Sequence, residues 1–275
     1  MKIKYFGTAA AEGIPALFCK CDVCKNARSV GGKEVKTRSQ SLIDGTVLID
    51  FPADTYMHIL NNDLYLDEIH TLIITHTHSD HFYPQDFWCR AHGIAYGIEE
   101  KPLNVFVTEG GYDAALDFLK RNSVSEERVL LHKIEPFVPF ESDGHKFIPL
   151  SADHDPKSDP VIYIIEKDGK SMLYANDTGY FPEKTWEYLA QYGKKFNCVS
   201  LDCTLALALC RYNHMDLATC KEVYAKLCEM NLCDDSTVAC INHFSHNGKA
   251  THEQLALEAE KAGFAVSYDG LELEF

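Results

Sequence analysis

The amino-acid sequence predicts an α/β layered protein, with mixed strands inside and helices outside. Two observations carry that prediction. Short apolar runs bounded by polar turns recur along the chain, and stretches of helical length with amphipathic or capped character follow several of them. The opening "MKIKYFG" reads as a strand running into a glycine turn. "SLIDGTVLID" reads as a hairpin with Asp44-Gly45 at its tip, a dipeptide that accepts the positive φ of tight hairpin turns. "IHTLIIT" is a buried strand feeding a polar loop, and "LNVFVTE" is a strand followed by a helix over 112–122. "VIYIIEKDGKSMLYAND" is a second hairpin, turning at Asp168-Gly169. A helix starts at Pro182, where proline suits a first turn. "NCVSLDC" is a strand, followed by an amphipathic helix over 216–230. "TVACINH" leads to a helix opened by "THEQ", a capping box of Thr251 and Gln254. No low-complexity linker interrupts the chain, so residues 1–275 are expected to form one domain.

With 46% hydrophobic and 24% charged residues in 275, the composition is that of a soluble globular chain with an ample core. No apolar run reaches about 18 residues, which argues against a membrane-spanning helix. The first residues carry charge without the apolar segment of a signal peptide. Eleven cysteines without an export signal suggest a cytoplasmic protein, with the eight cysteines beyond residue 24 expected as reduced, buried thiols. The net charge of −15 and the lack of a basic run argue against long nucleic acid, whose binding draws on Lys and Arg. The expected partner is a small molecule, with no membrane; a homodimer is compatible with the sequence.

Two clusters carry chemistry. In "TLIITHTHSDHF", His76 and His78 follow an apolar strand at a spacing of two, which points both to one side of extended chain. Asp80 and His81 then turn towards a neighbouring ion. In "FCKCDVCKNAR", Cys19, Cys21 and Cys24 lie too close for several disulfides and suit a soft metal. A structural zinc is four-coordinate, and this stretch offers only three thiolates.

The H-x-H-x-D-H run resembles the signature of the metallo-β-lactamase-like hydrolase superfamily. The rest of that family's pattern follows in order: "LSADHDP" supplies His154, "LYANDTG" supplies Asp177 and "ACINHF" supplies His243. The resemblance implies a four-layer αββα sandwich holding two divalent metals, Zn, Mn or Fe, at one edge. It places His76, His78 and His154 on one metal, and Asp80, His81 and His243 on the other. Asp177 and a hydroxide would bridge them, with the metals about 3.5–4 Å apart. His145, the competitor of His154, sits in the turn "SDGHKF", a setting suited to solvent. His58, His70, His92, His132 and His252 are expected at surface or satisfied core positions.

The N-terminal cysteine cluster narrows the resemblance to the PhnP-type phosphodiesterases of the carbon–phosphorus lyase pathway. There, three such cysteines and a histidine three residues after the last active-site ligand hold a structural zinc, which implies Cys19, Cys21, Cys24 and His246 here. "GTAAAEGIP", "KTRSQSLI" and "VLID" also resemble that branch. "RYNHMDLATCKEV" places His214 at the front of a helix, where the phosphodiesterase branches, tRNA 3′-processing ribonuclease Z included, carry a histidine that protonates the leaving oxygen. The implied reaction is hydrolysis of small, cyclic phosphodiesters by the bridging hydroxide, with Asp80 orienting the nucleophile and His214 as the acid. The alternatives are a lactonase or thioesterase, a tRNA 3′-processing ribonuclease, and a non-catalytic metal-binding accessory protein. Asp202, in "SLDCT", is given no role.

Overall fold

Strands whose successive side chains face opposite ways build two sheets with one shared interior. The computed structural model describes residues 1–98 and 101–275. The first sheet takes β1 (Lys2–Gly7), β2 (Gln40–Ile43), β3 (Val47–Ile49), β4 (Thr71–Ile73), β5 (Leu103–Val107) and β6 (Val129–Lys133). The second takes β7 (Phe140–Ser142), β8 (His145–Ser151), β9 (Val161–Lys167), β10 (Lys170–Ala175), β11 (Cys198–Asp202), β12 (Val238–Asn242) and β13 (Ala265–Val266). β14 (Glu272–Glu274) returns to pair with β1. The orders are β14-β1-β2-β3-β4-β5-β6 and β13-β12-β11-β10-β9-β8-β7 among the described residues. The helices are α1 (Asp22–Val30), α2 (Thr55–Asn62), α3 (Glu109–Arg121), α4 (Glu183–Tyr192), α5 (Leu217–Glu229) and α6 (His252–Glu260).

The alternation decides the layers. Ile49, Ile73 and Phe106 of the first sheet meet Tyr163, Ile165, Met172 and Tyr174 of the second in the inter-sheet core. Their neighbours point outward: Leu48, Leu72 and Val105 pack under Ala115 and Leu119 of α3. On the opposite face, Leu173, Val199 and Ile241 pack under Leu189 of α4, Val223 of α5 and Leu255 of α6. Helix, sheet, sheet, helix is the αββα sandwich that the sequence suggested. Among the described residues, no helix is long and apolar enough to cross a membrane.

Strand direction positions the site. β3 runs parallel to β4, and β10, β11 and β12 run parallel to one another. β8 is antiparallel to β9, which is antiparallel to β10, so β8 shares their direction. The polar segments after β4, β8, β10, β11 and β12 therefore emerge together at one edge, where open α/β sheets place ligand sites.

Several sequence expectations need correction. The helix expected over 112–122 starts three residues earlier, at Glu109. A Cβ on Gly111 would stand 2.2 Å from Val107 Cγ2, so the glycine lets α3 start close on its strand. Pro182 caps α4 rather than opening it, and Asp216 caps α5 by accepting from Thr219 N. The capping box of Thr251 and Gln254 is present. His145 is not in solvent: it is buried, with Nε2 3.0 Å from Asp44 Oδ2. All cysteines are free, but Cys89 is exposed and Cys210 and Cys228 are half-buried, so not all eight are the buried thiols expected. Of the histidines set aside, His58 is a satisfied core residue, bonded through Nδ1 to Gln40 Oε1 at 2.7 Å.

Candidate active site

The polar segments at this edge converge. His76, His78 and Asp80–His81 follow β4, His154 follows β8, Asp177 follows β10 and His243 follows β12. His78 Nδ1 lies 3.0 Å from His76 Nε2 and 3.1 Å from His154 Nε2. His81 Nε2 lies 3.1 Å from His243 Nε2 and 3.4 Å from Asp80 Oδ2. Asp177 Oδ2 stands between the two groups, 2.5 Å from His81 Nε2, 3.0 Å from His243 Nε2 and 3.8 Å from His76 Nε2. All seven residues are thus brought together, as two sets joined by one carboxylate. His145 stays outside both.

The outer nitrogens show what these rings hold. Thr75 Oγ1 donates to Asp50, so it accepts from His76 Nδ1 at 3.1 Å. His81 Nδ1 donates to Asp50 Oδ2 at 2.7 Å. Thr204 Oγ1 donates to Asp202 Oδ2, so it accepts from His243 Nδ1 at 2.9 Å. His154 Nδ1 donates to the carbonyl of Asn213 at 3.1 Å, and His78 Nε2 faces Asp155 Oδ2 at 3.4 Å. In the neutral rings, the five inward nitrogens therefore carry bare lone pairs. Bare nitrogens about 3 Å apart repel unless a cation lies between them. Ligands at 2.0–2.2 Å from a tetrahedral metal stand about 3.3 Å apart, which is the spacing seen. Asp177 Oδ2 is buried and accepts no hydrogen bond, although three imidazole nitrogens surround it. This donor set fits two divalent cations, with the outer partners fixing each tautomer.

Charge and strain follow the same layout. Burial opposes ionisation of Asp177, but His243 and His81 hold it well below the usual carboxylate range. Burial also opposes charging of His81, yet Asp177, Asp50 and Asp80 outweigh it and raise His81 well above an ordinary histidine: the three acids call for a positive charge at this ring, which a proton supplies in place of a cation. His76, with less compensation, is pushed down by burial. Asp50, Asp177 and His243 adopt left-handed φ of 66°, 51° and 67°, a conformation that costs a non-glycine residue about 1 kcal/mol or more.

His214 enters from the loop before α5. Its Nδ1 lies 3.2 Å from Asp202 Oδ2 and 3.3 Å from Asp177 Oδ1. Burial disfavours its charge, but Asp202 and then Asp177 outweigh burial and raise it to about 9. With Nδ1 turned to the acids, Nε2 is the ring's remaining proton position. His214 lines a cleft of about 250 Å³ together with His78, Asp80, His154, Asp177, Glu12 and Asn247.

Sequence reasoning missed Asp50, Thr75, Asp202 and Thr204. Asp50 and Asp202 are alike: each ends or follows a strand, meets one histidine directly (His81 or His214) and accepts from a threonine that meets another (Thr75 to His76, Thr204 to His243). Each is fully buried, which an acid in a loop is not unless paired.

Near the cleft, Cys19 Sγ and Cys21 Sγ both lie 3.5 Å from His246 Nδ1. With buried Cys24, their ligand atoms lie within 4.8 Å of one another. Cys19 is lowered by the N–H of Cys21, which donates to its sulfur at 3.3 Å, whereas burial pushes Cys24 up to about 11. A divalent zinc would hold all three as thiolates. Cys21→Ser is expected to lose one zinc per chain and about 3 kcal/mol of stability, lowering Tm by about 10 °C. Full zinc content at an unchanged Tm would show that the four residues do not hold a metal.

Residues 46–233 match the family model described as a beta-lactamase superfamily domain, which is more than half of the chain. The chain belongs to the beta-lactamase superfamily. Its members share the metallo-β-lactamase hydrolase fold. No curated protein matches the chain. Among solved structures, it is similar to Zn(2+)-bound PqqB from Methylobacterium extorquens, at 19% identity over all of both chains, with a TM-score of 0.76. It is similar to a diphosphatase from the PhnP family at 23% identity, covering 100% of this chain and 98% of that one, with a TM-score of 0.74. It is also similar to the short form of human tRNase Z at 14% identity, covering 100% and 99%, with a TM-score of 0.67. At these identities the likenesses establish the shared superfamily fold, and the chemistry must be argued from the residues.

Proposed function

We propose that this superfamily member is a metal-dependent phosphodiesterase acting on small, cyclic phosphodiesters. The observation that carries the reading is His214: an imidazole whose Nδ1 lies 3.2 Å from Asp202 Oδ2, a contact that favours its charged form, beside a paired metal-type site and lining the same cleft. Expulsion of a ribose alkoxide from phosphorus calls for a positioned proton donor, and His214 offers one at the cleft.

The residues divide the work. His76, His78 and His154 would hold one divalent ion; Asp80, His81 and His243 the other; Asp177 would join both. Ions bound there would supply an activated water and offset charge on the phosphoryl oxygens. Asp80, buried beside His81, would orient the attacking oxygen. His214 gives its Nε2 proton to the departing oxygen, and Asp202 stabilises the charge it carries before transfer. The thiolate set would hold a structural zinc.

The cleft of about 250 Å³ suits a mononucleotide-sized substrate. A chain of −15 offers little to a long polyanion. The metal-loaded protein is expected to hydrolyse nucleoside 2′,3′-cyclic phosphates and aryl phosphodiesters, and to leave precursor tRNA uncut. Efficient tRNA 3′ processing with a steep loss of rate on adding salt would overturn the substrate assignment, since that slope counts Lys and Arg contacts to phosphate. Hydrolysis of lactones or thioesters, with no phosphodiester turned over, would overturn the reaction class.

A further inference from the structure

We infer that Glu12 is a specificity-determining residue that reads the charge of the substrate's remote arm, accepting a neutral hydroxyl-bearing group and rejecting a second phosphate. The inference rests on the phosphodiesterase reading. Glu12 lines the cleft beside the segment that follows His243 and keeps 29% of its side chain exposed. Its Oε1 is fully engaged: it accepts from Ser245 Oγ, and from Asn247 Nδ2 at 3.2 Å, and faces His246 Nε2 at 3.6 Å. Among the described residues, Oε2 accepts no hydrogen bond. The carboxylate is thus held through one oxygen at the wall of the cleft, with the other left unbonded.

A carboxylate so placed is out of character for a site that binds phosphate esters. It adds repulsion for every anionic group beyond the one at the metal-type residues. A hydroxyl on the substrate's arm, by contrast, can donate to Oε2. The lock also ties selectivity to the thiolate cluster. Ser245 and Asn247 flank His246, and His246 lies against Cys19 and Cys21, so the turn that fixes Glu12 is the turn that meets the thiolates.

The test compares kcat/KM for a nucleoside 2′,3′-cyclic phosphate bearing a 5′-hydroxyl with that for the same compound bearing a 5′-phosphate. The metal-loaded wild type should prefer the 5′-hydroxyl compound. Glu12→Gln keeps the side chain's size while removing its charge, and should shrink that preference about tenfold at low salt. Added salt should shrink the wild-type preference in the same direction. Glu12→Asp, which keeps the charge, should keep most of the preference, a result that general damage to the cleft would not give. A preference ratio unchanged within about twofold in Glu12→Gln would overturn the inference. Turnover of bis-p-nitrophenyl phosphate by the wild type separates the two failures: without it the phosphodiesterase reading falls, and this inference with it; with it and an unchanged ratio, only the role of Glu12 falls.

Discussion

His214→Ala should slow hydrolysis of a nucleoside 2′,3′-cyclic phosphate by about 10²–10⁴-fold. Its effect on bis-p-nitrophenyl phosphate should be far smaller. The difference lies in the leaving group: a ribose alkoxide needs a proton as it departs, and a p-nitrophenolate does not. Asp202 makes the acid competent, since burial alone would strip the ring of its proton, and the nearby carboxylates reverse that to about 9. Metal content should stay at the wild-type level. Equal losses on both substrates would assign His214 to binding instead of proton transfer. Loss of metal would make it a ligand, which its 3.3 Å approach to Asp177 Oδ1 renders a real competitor.

Asp177→Ala should be at least as damaging, lowering turnover of every phosphodiester by about 10³-fold or more, because the stabilisation at stake is several kcal/mol. Asp177 Oδ2 approaches His76 of one histidine set and His81 and His243 of the other, so its removal should reduce metal bound at both. Elemental analysis of the variant checks this. Retention of two tightly bound ions would show that the carboxylate does not join them. His145→Ala is the contrast: His145 and Asp44 lie away from the cleft, so activity per folded molecule should match wild type even if stability drops.

The residues that line this site were readable because each sits at the end of an apolar run, and strand direction carries such ends to one edge. His76, His78, Asp80 and His81 lie close together in sequence, Asp177 and His243 each follow a recognisable hairpin or strand, and His154 was placed by its order in the family pattern alone. The supporting acids were not readable. Asp50 closes "VLID" and Asp202 closes "CVSLD", and strand-end acids of this kind are common in turns. Their importance comes from contacts 25 and 31 residues distant to Thr75 and His81, and to Asp177 N at 25 residues. His145 was misread because Asp143-Gly144 announces an exposed turn, while the burial of the next residue depends on Asp44 from the other sheet. β8 escaped notice because Pro149 lies inside it. That proline pairs with Tyr163 of β9 on one side and is tolerated because on the other β7 pairs only with residues 145–147; there its carbonyl accepts from Phe137 N at 2.7 Å and no strand needs its missing N–H.

The central claim is that two ions, held by the His and Asp residues at the sandwich edge, make this chain a phosphodiesterase. The most direct measurement strips the protein of those ions, returns Mn²⁺ or Zn²⁺ in known equivalents, and follows hydrolysis of a nucleoside 2′,3′-cyclic phosphate. The account predicts no turnover in the stripped protein and a rate that saturates at two equivalents beyond any zinc the thiolates retain. Full turnover without added metal and with none bound at the site, or no turnover at any loading, would contradict it.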